Sequence, residues 1–211
     1  MNNLTLLLLF ILLFILTGWA FQAARMYPEY KNSPLGELFG GFIGYFWHAA
    51  IRQDASQSFT LRREIGTSRL LYSKVDDKGH TVARIVTVFY SRGIMVIAYL
   101  ITEGTFRGKA KDADWIVTRQ EKKETVSRRI TNPTPYIETY LLRLARTYPD
   151  VHLETRLCFP DQADVSQLKS DIRCIHAADV LNELKNVTGA TMSDQQILDC
   201  VARTVEGTSK K

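Results

Sequence analysis

Cysteine is scarce in this chain and unclustered: Cys158, Cys174 and Cys200 are the three among 211 residues. A secreted disulfide framework needs paired cysteines, and a structural zinc site needs them grouped with histidine, so both are disfavoured and a reducing compartment fits best. Charge is missing from the first 24 residues, with no Asp, Glu, Lys or Arg before Arg25. In particular, Asn2 and Asn3 stand where a secretory signal carries Lys or Arg. A glycine-rich phosphate loop, a serine nucleophile elbow and a His-Glu-x-x-His pair are all lacking, which removes the commonest signatures of nucleotide, ester and zinc-protease chemistry. His48, His80, His152 and His176 are dispersed, and each reads as structural or exposed before it reads as a ligand. No internal repeat is visible. An apolar share of 45% with 23% charged residues excludes a disordered or collagen-like chain, and the length suits one domain with a real core better than two. A net charge of +5 and a pI near 9.1 are compatible with nucleic acid or acidic lipid and select neither.

A long apolar run is what the N-terminus does have. From Leu4 to Ala24 only Thr5, Thr17 and Gln22 interrupt it, and about 21 residues at 1.5 Å rise cross a hydrocarbon core of about 30 Å. A retained single-pass anchor over residues 1–24 is the expected reading. A cleaved signal, with Gly18-Trp19-Ala20 as a small-x-small site, is its rival. The flanking cations Arg25, Lys31, Arg52, Arg62 and Arg63 all follow the run, which puts the body on the cytoplasmic side of a bacterial inner membrane. Trp19 and Tyr27 would then sit near the inner boundary. Residues 25–34, with Pro28 and Pro34, read as a linker. The apolar stretch Leu35 to Ile51 carries Gly36, Gly40 and Gly44 at four-residue spacing, one face of a helix. That face is either a small-residue seam packing on the anchor or on a second copy, or the first helix of the soluble domain where a neighbour comes close.

Past a loop at residues 53–56, β-like runs accumulate. Phe59 to Ile65 and Arg69 to Lys74 are expected strands, and Asp76-Asp77-Lys78-Gly79 has hairpin-turn chemistry. Thr81 to Tyr90 and Ile94 to Ile101 follow, the second apolar at nearly every position, as a strand covered on both faces must be. Thr105 to Gly108, Trp115 to Arg119 and Glu124 to Ile130 complete the series. Asn132-Pro133-Thr134-Pro135 announces a helix with Thr134 as N-cap and Ile137, Leu141, Leu144 and Ala145 inward. Strands at His152 to Phe159 and Asp171 to His176, separated by a loop at residues 160–169, precede a helix at Ala177 to Lys185. A last helix opens at Ser193 with Gln196 three residues on, a capping-box pattern, and buries Ile197, Cys200 and Val201. The last residues, 207–211, read as a disordered tail. An α/β domain, a mixed sheet with flanking helices behind one transmembrane helix, is the expected class.

Within this series, Arg92-Gly93-Ile94-Met95-Val96-Ile97, then Gly104-x-Phe106-x-Gly108, then Trp115, resembles the centre of the NERD (nuclease-related) domain. Asn132-Pro133 with Leu144 is similar to that family's Asn-Pro helix, Leu153 to Phe159 with Val180 to Leu184 to its closing strand and helix, and Gly36-Glu37 to its opening. The likeness covers residues 35–186, leaving 187–211 as a C-terminal helix and tail. It implies a restriction-endonuclease-like core in which an Asp on one strand and a Glu-x-Lys on the next hold a divalent cation and activate water; carboxylates suit Mg²⁺, and the Lys stabilises developing negative charge.

The chain departs from the family at those positions. Ala98 and Leu100 stand where the resemblance implies Glu and Lys, and Ile85, or Arg84 with one residue of slip, where it implies Asp. Tyr136 and Tyr140 replace its Gln and His, and Glu37 alone remains. Glu103 and Asp112 are the nearest acids that could have taken over. The expectation is a catalytically silent scaffold, with no catalytic residue, metal or cofactor. Much of the excess charge lies between Gly104 and Thr131, in Arg107, Lys109, Lys111, Arg119, Lys122, Lys123, Arg128 and Arg129. These residues are either a patch for a nucleic-acid backbone or the anionic leaflet, or a solvated hairpin, which Phe106 and Trp115 as the sole aromatics favour. An anchor on a cytoplasmic body also resembles in layout the exclusion-determining proteins of conjugative plasmids. The expected partners are therefore the membrane and a membrane protein of the conjugation channel, with nucleic acid and a second copy of the chain as alternatives.

Overall fold

A computed structural model of the chain describes residues 3–48, 58–77, 79–121, 124–189 and 191–209. It is a mixed α/β molecule with two sheets and one long N-terminal helix. The strands are β1 (Ser68–Asp77), β2 (His80–Tyr90), β3 (Gly93–Tyr99), β4 (Thr105–Lys109), β5 (Asp114–Glu121), β6 (Glu124–Thr131), β7 (Leu153–Phe159), β8 (Asp164–Lys169) and β9 (Cys174–His176). The helices are α1 (Asn3–Lys31), α2 (Leu35–Phe39), α3 (Phe42–Phe46), α4 (Phe59–Ile65), α5 (Thr134–Thr147), α6 (Val180–Asn186) and α7 (Asp194–Ser209). The larger sheet has the order β1-β2-β3-β7-β9, and the smaller one β6-β5-β4-β8. β1, β2 and β3 run antiparallel, whereas β7 joins β3 in parallel after the excursion through the smaller sheet and α5.

The central position of β3 follows from its composition. All seven of its residues are buried, and they alternate between two cores, as the two-residue period of a strand requires. Ile94, Val96 and Ala98 face one core, with Ile85 and Phe89 of β2, Phe106, Trp115 and Val117 of the smaller sheet, and the inner sides of α5 and α7. Met95, Ile97 and Tyr99 face the other, with α2, α4 and α6.

Local chemistry sets several boundaries. Gly79 takes φ +82° in the β1–β2 hairpin, as a turn glycine can. α7 has its capping box: Ser193 Oγ accepts from Gln196 N at 3.3 Å while Ser193 N donates to Gln196 Oε1 at 2.8 Å. The helix runs to Ser209, so residues 207–209 belong to it and not to a tail. α5 starts one step differently from expectation. Thr134 is its first residue, and Asn132, not Thr134, supplies the cap: its Oδ1 accepts from Thr134 N at 2.9 Å. Asn132 Nδ2 meanwhile donates to the Ala110 and Asp112 carbonyls at 2.8 and 2.7 Å, tying the β4–β5 turn to the helix.

Four further expectations are corrected. Phe59–Ile65 is a helix, because the Ser58 hydroxyl caps it by accepting from Leu61 N at 3.3 Å, and helical spacing puts Leu61 and Ile65 on one inward face. The presumed loop at 160–169 contains β8, an edge strand held by parallel pairing with β4. The stretch from Leu35 is not one helix: α2 ends at Gly40 with φ +64°, a left-handed cap, and α3 starts after Gly41. Residues 25–34 are no flexible linker either, since α1 continues through Pro28 to Lys31. The loop expected at 53–56 lies outside the described residues.

The Gly-x-Phe-x-Gly and Trp pattern has a packing reason. Trp115 is fully buried, its Nε1 donates to the Lys109 carbonyl at 3.0 Å, and a Cβ on Gly108 would lie 2.3 Å from the ring atom Cδ1. Gly108→Ala is therefore expected to destabilise the fold by about 1–3 kcal/mol through overpacking. Thermal unfolding of the detergent-solubilised chain measures it, and an unchanged midpoint would contradict the close approach.

Candidate functional site

The strand pair comes first. β2 and β3 align so that Ile85 faces Ala98 and Arg84 faces Tyr99. The two positions at which the nuclease resemblance implies metal-holding carboxylates are thus direct cross-strand neighbours. Both are fully buried, and with Leu100 they lie in the core containing Phe106, Trp115, Tyr140 and Leu157. Tyr140 closes this region from α5, its hydroxyl 2.8 Å from Thr87 Oγ1. Methyl and aromatic groups fill the volume that ligands and a hydrated cation would need. Tyr136 is half-buried at the start of α5, and its phenol is pushed up by desolvation and by a hydrogen bond with Asp77.

The remaining acids are scattered. Glu37 is on α2 at the rim of a shallow hollow with Tyr30, Phe59 and Arg63. Glu103 lies in a cleft with Arg119, Arg128 and Arg129. Asp112 accepts from Lys109 N at 2.7 Å and shapes the β4–β5 turn. Among the described residues no three His, Cys, Asp or Glu side chains are grouped to hold a metal ion.

The basic hairpin divides by face. Arg107 of β4, Ile116 of β5 and Arg129 of β6 stand in one cross-strand row. Lys109 pairs with Lys169 of β8 along the same sheet. Arg107, Lys109 and Arg129 are exposed, as is Ile116, so this row forms a solvent face. Arg119 and Arg128 belong to the opposite face and both meet Glu121, at 2.8 and 3.6 Å. Their charge is largely offset, and exposed pairs of this kind contribute little to stability. Lys111 is exposed in the β4–β5 turn, while Lys122 and Lys123 lie outside the described residues.

The three glycines of the ladder do not share a face. A Cβ on Gly36 would lie 3.9 Å from the Tyr30 ring, one on Gly40 would meet Thr60 Oγ1 of α4 at 2.3 Å, and one on Gly44 would lie 3.6 Å from the Phe39 carbonyl. Each serves a separate helix contact.

A junction absent from the sequence reading emerges where α1 meets the sheet. Glu29, at the C-terminal end of α1, accepts from the Tyr99 hydroxyl at 2.8 Å and pairs with Arg84 Nε at 3.1 Å. These side chains, with Tyr45, His48, Tyr72 and Lys74, line a pocket of about 420 Å³ between α1, α3 and the β1–β3 strands. A signal existed: Arg84 is the one cation in an otherwise apolar strand run, and a half-buried guanidinium demands a counter-charge. A second ionic knot, Arg156 to Glu183 and Glu154 at 2.6 Å each with Arg173 to Glu183 at 2.6 Å, fastens β7 to α6.

Burial pushes the Tyr99 phenol well above its ordinary value of 10.0, and the adjacent Glu29 carboxylate adds to the rise. Tyr45 is raised for the same two reasons. Tyr90 is pushed up to about 12 by burial, and burial also raises the Cys158 thiol above 9.0. In the unfolded chain these groups lose their protons at their ordinary values while the native ones keep theirs.

Comparison with family models, with curated proteins and with solved structures finds no match for this chain.

Stability should therefore be complete below pH about 9 and fall as pH rises through the native values, since the unfolded state then binds fewer protons. A melting-temperature series from pH 8 to about 12 checks this, and a flat profile above pH 10 would contradict the burial of Tyr45, Tyr90 and Tyr99. Glu29→Gln, which strands Arg84 without its counter-charge, is expected to cost about 1–3 kcal/mol. Tyr99→Phe should cost about half of that, both read from thermal unfolding in detergent.

Proposed function

We propose that this chain is a membrane-anchored, catalytically silent scaffold of nuclease-like build that recognises a protein partner at the cytoplasmic face of a bacterial inner membrane. The observation that carries the reading is the Ile85–Ala98 register pair. The family resemblance implies an acid on each of two adjacent strands, and the two positions are indeed neighbours, which supports a degenerate NERD domain with a restriction-endonuclease-like core. Both are occupied by buried apolar side chains, so the chemistry of metal-assisted hydrolysis has no donors there. The anchor rests on α1, which over Leu4–Lys31 is long and apolar enough to cross a membrane, with a mean hydropathy of 2.6 in its most apolar window. The cations that follow the run support the cytoplasmic orientation. Confinement to the bilayer raises the effective concentration toward a membrane partner. In layout the chain fits a protein that excludes redundant plasmids during conjugation by recognising a component of the transfer channel.

A second reading is supported by the solvent row Arg107, Ile116 and Arg129 with Lys109 beside it. Such a row suits a passive nucleic-acid contact, because cations aligned on one face can follow a phosphate backbone.

The full chain in detergent should leave supercoiled DNA uncut in Mg²⁺ or Mn²⁺. Cleavage that disappears in Glu37→Ala or Glu103→Ala would overturn the silent scaffold. Recipient cells producing the chain should accept fewer transfers of a conjugative plasmid that carries the same gene, and unchanged transfer would count against exclusion. Salt-sensitive DNA binding weakened by Arg107→Ala and Arg129→Ala would instead favour the second reading.

A further inference from the structure

The short helix α3 is apolar on both sides, and among the described residues only one side is covered. Tyr45 is buried, and Phe42 packs edge-on against Tyr27 and Tyr30 of α1, with ring centroids 5.3 and 5.2 Å apart. Helical spacing puts Ile43, Phe46 and Trp47 together on the other side. Ile43 is 84% exposed and Trp47 51% exposed, among the largest apolar exposures outside α1. Leaving such a cluster in water is unfavourable, and a contiguous exposed apolar patch marks a contact surface.

The position of the patch along α1 identifies its occupant. The apolar run of α1 ends at Ala24, and its α3 contacts are Tyr27 and Tyr30. At 1.5 Å per residue these lie about 4.5 and about 9 Å beyond the end of the run. The headgroup layer extends about 5–8 Å beyond the hydrocarbon core on each side. α3 is therefore held at interfacial depth by the same helix that spans, and tryptophan with aliphatic side chains is the composition that this layer favours. The charges nearby agree. Arg25 and Lys31 on α1 are exposed. On α4, Arg62 follows Phe59, itself 79% exposed, at the spacing that shares a helical face, and Arg63 beside it is paired with Glu64 at 2.9 Å. Anionic headgroups are the complement of such a mixture of rings and cations.

We propose that α3 is a second membrane contact: Ile43, Phe46 and Trp47 enter the headgroup layer of the leaflet from which α1 emerges, so that the body lies against the lipid surface and does not stand off from it. The proposal rests on the reading of α1 as a membrane anchor, and the two fail separately.

Tryptophan fluorescence of the full chain, reconstituted into phosphatidylethanolamine–phosphatidylglycerol vesicles with brominated acyl chains, tests it. Trp115 is buried in the protein core and serves as the unquenched reference. The difference between Trp19→Phe and the double variant Trp19→Phe/Trp47→Phe reports Trp47 alone, and the difference between the unaltered chain and Trp19→Phe reports Trp19. The expected result is that shallowly placed bromines quench the Trp47 signal severalfold more than deep ones, while aqueous iodide barely affects it. Trp47 open to iodide and untouched by bromine would overturn the proposal and leave the anchor standing, provided Trp19 is quenched. Trp47 shielded from both quenchers would mean that protein covers it, as in a dimer of this chain, and would overturn the proposal equally. Trp19 untouched by bromolipid would overturn the anchor itself.

Discussion

The double covering of β3 governs the rest of the molecule. A strand with water on neither side must be apolar on both, and its neighbours must bring a layer to each face. Ile94, Val96 and Ala98 collect the smaller sheet, α5 and α7 around Trp115 and Phe106, while Met95, Ile97 and Tyr99 collect α2, α4 and α6. β3 is thus the keel of two cores, with every one of its residues buried. An acid placed at Ala98 alone would bury an uncompensated charge beside Ile85.

Several polar groups admitted to the interior are fastened. Tyr140 meets Thr87, Asn132 binds the helix start and two turn carbonyls, and Arg156 shares Glu183 with Arg173. The Tyr140–Thr87 bond, the Asn132 bonds to the two turn carbonyls and the Arg156–Glu183 pair join elements distant in sequence, which fixes how layers stack where apolar contact alone would tolerate sliding. Glu29 belongs to the same class, and it does so from a segment that composition marks as a hinge.

Legibility in the sequence followed the length of the pattern. β2 was readable because eight of its eleven residues are β-branched or aromatic, β3 because it is apolar throughout and follows a glycine turn, and α7 because its cap and its 3.6-residue stripe agree. α4 was misread since seven residues with Phe59, Leu61 and Ile65 fit alternation as well as a helix, and the deciding fact, Leu61 docked in the second core, is tertiary. β8 was invisible: Asp164–Lys169 is mostly polar, and it is a strand only because β4 offers an edge. The positions at which the nuclease resemblance implies carboxylates could be counted from the Gly93 turn, and the register that makes Ile85 and Ala98 neighbours follows from that same turn. The division of the basic hairpin into two faces needed the β5–β6 register, and the Glu29 junction needed α1 to survive Pro28. Proline at that position forgoes a bond to the Ala24 carbonyl, and the helix continues because Tyr27, Glu29 and Tyr30 are held from the side.

Because α1 carries on unbroken to Lys31 and is bolted to β2 and β3 through Glu29, the apolar segment and the sheet move as one stiff lever. In a bilayer, a neighbour that twisted or tilted the apolar half would deliver that torque straight to the strands. A disturbance at one end of that lever would thereby be felt on the far side of the body, with no loosely jointed stalk to absorb it.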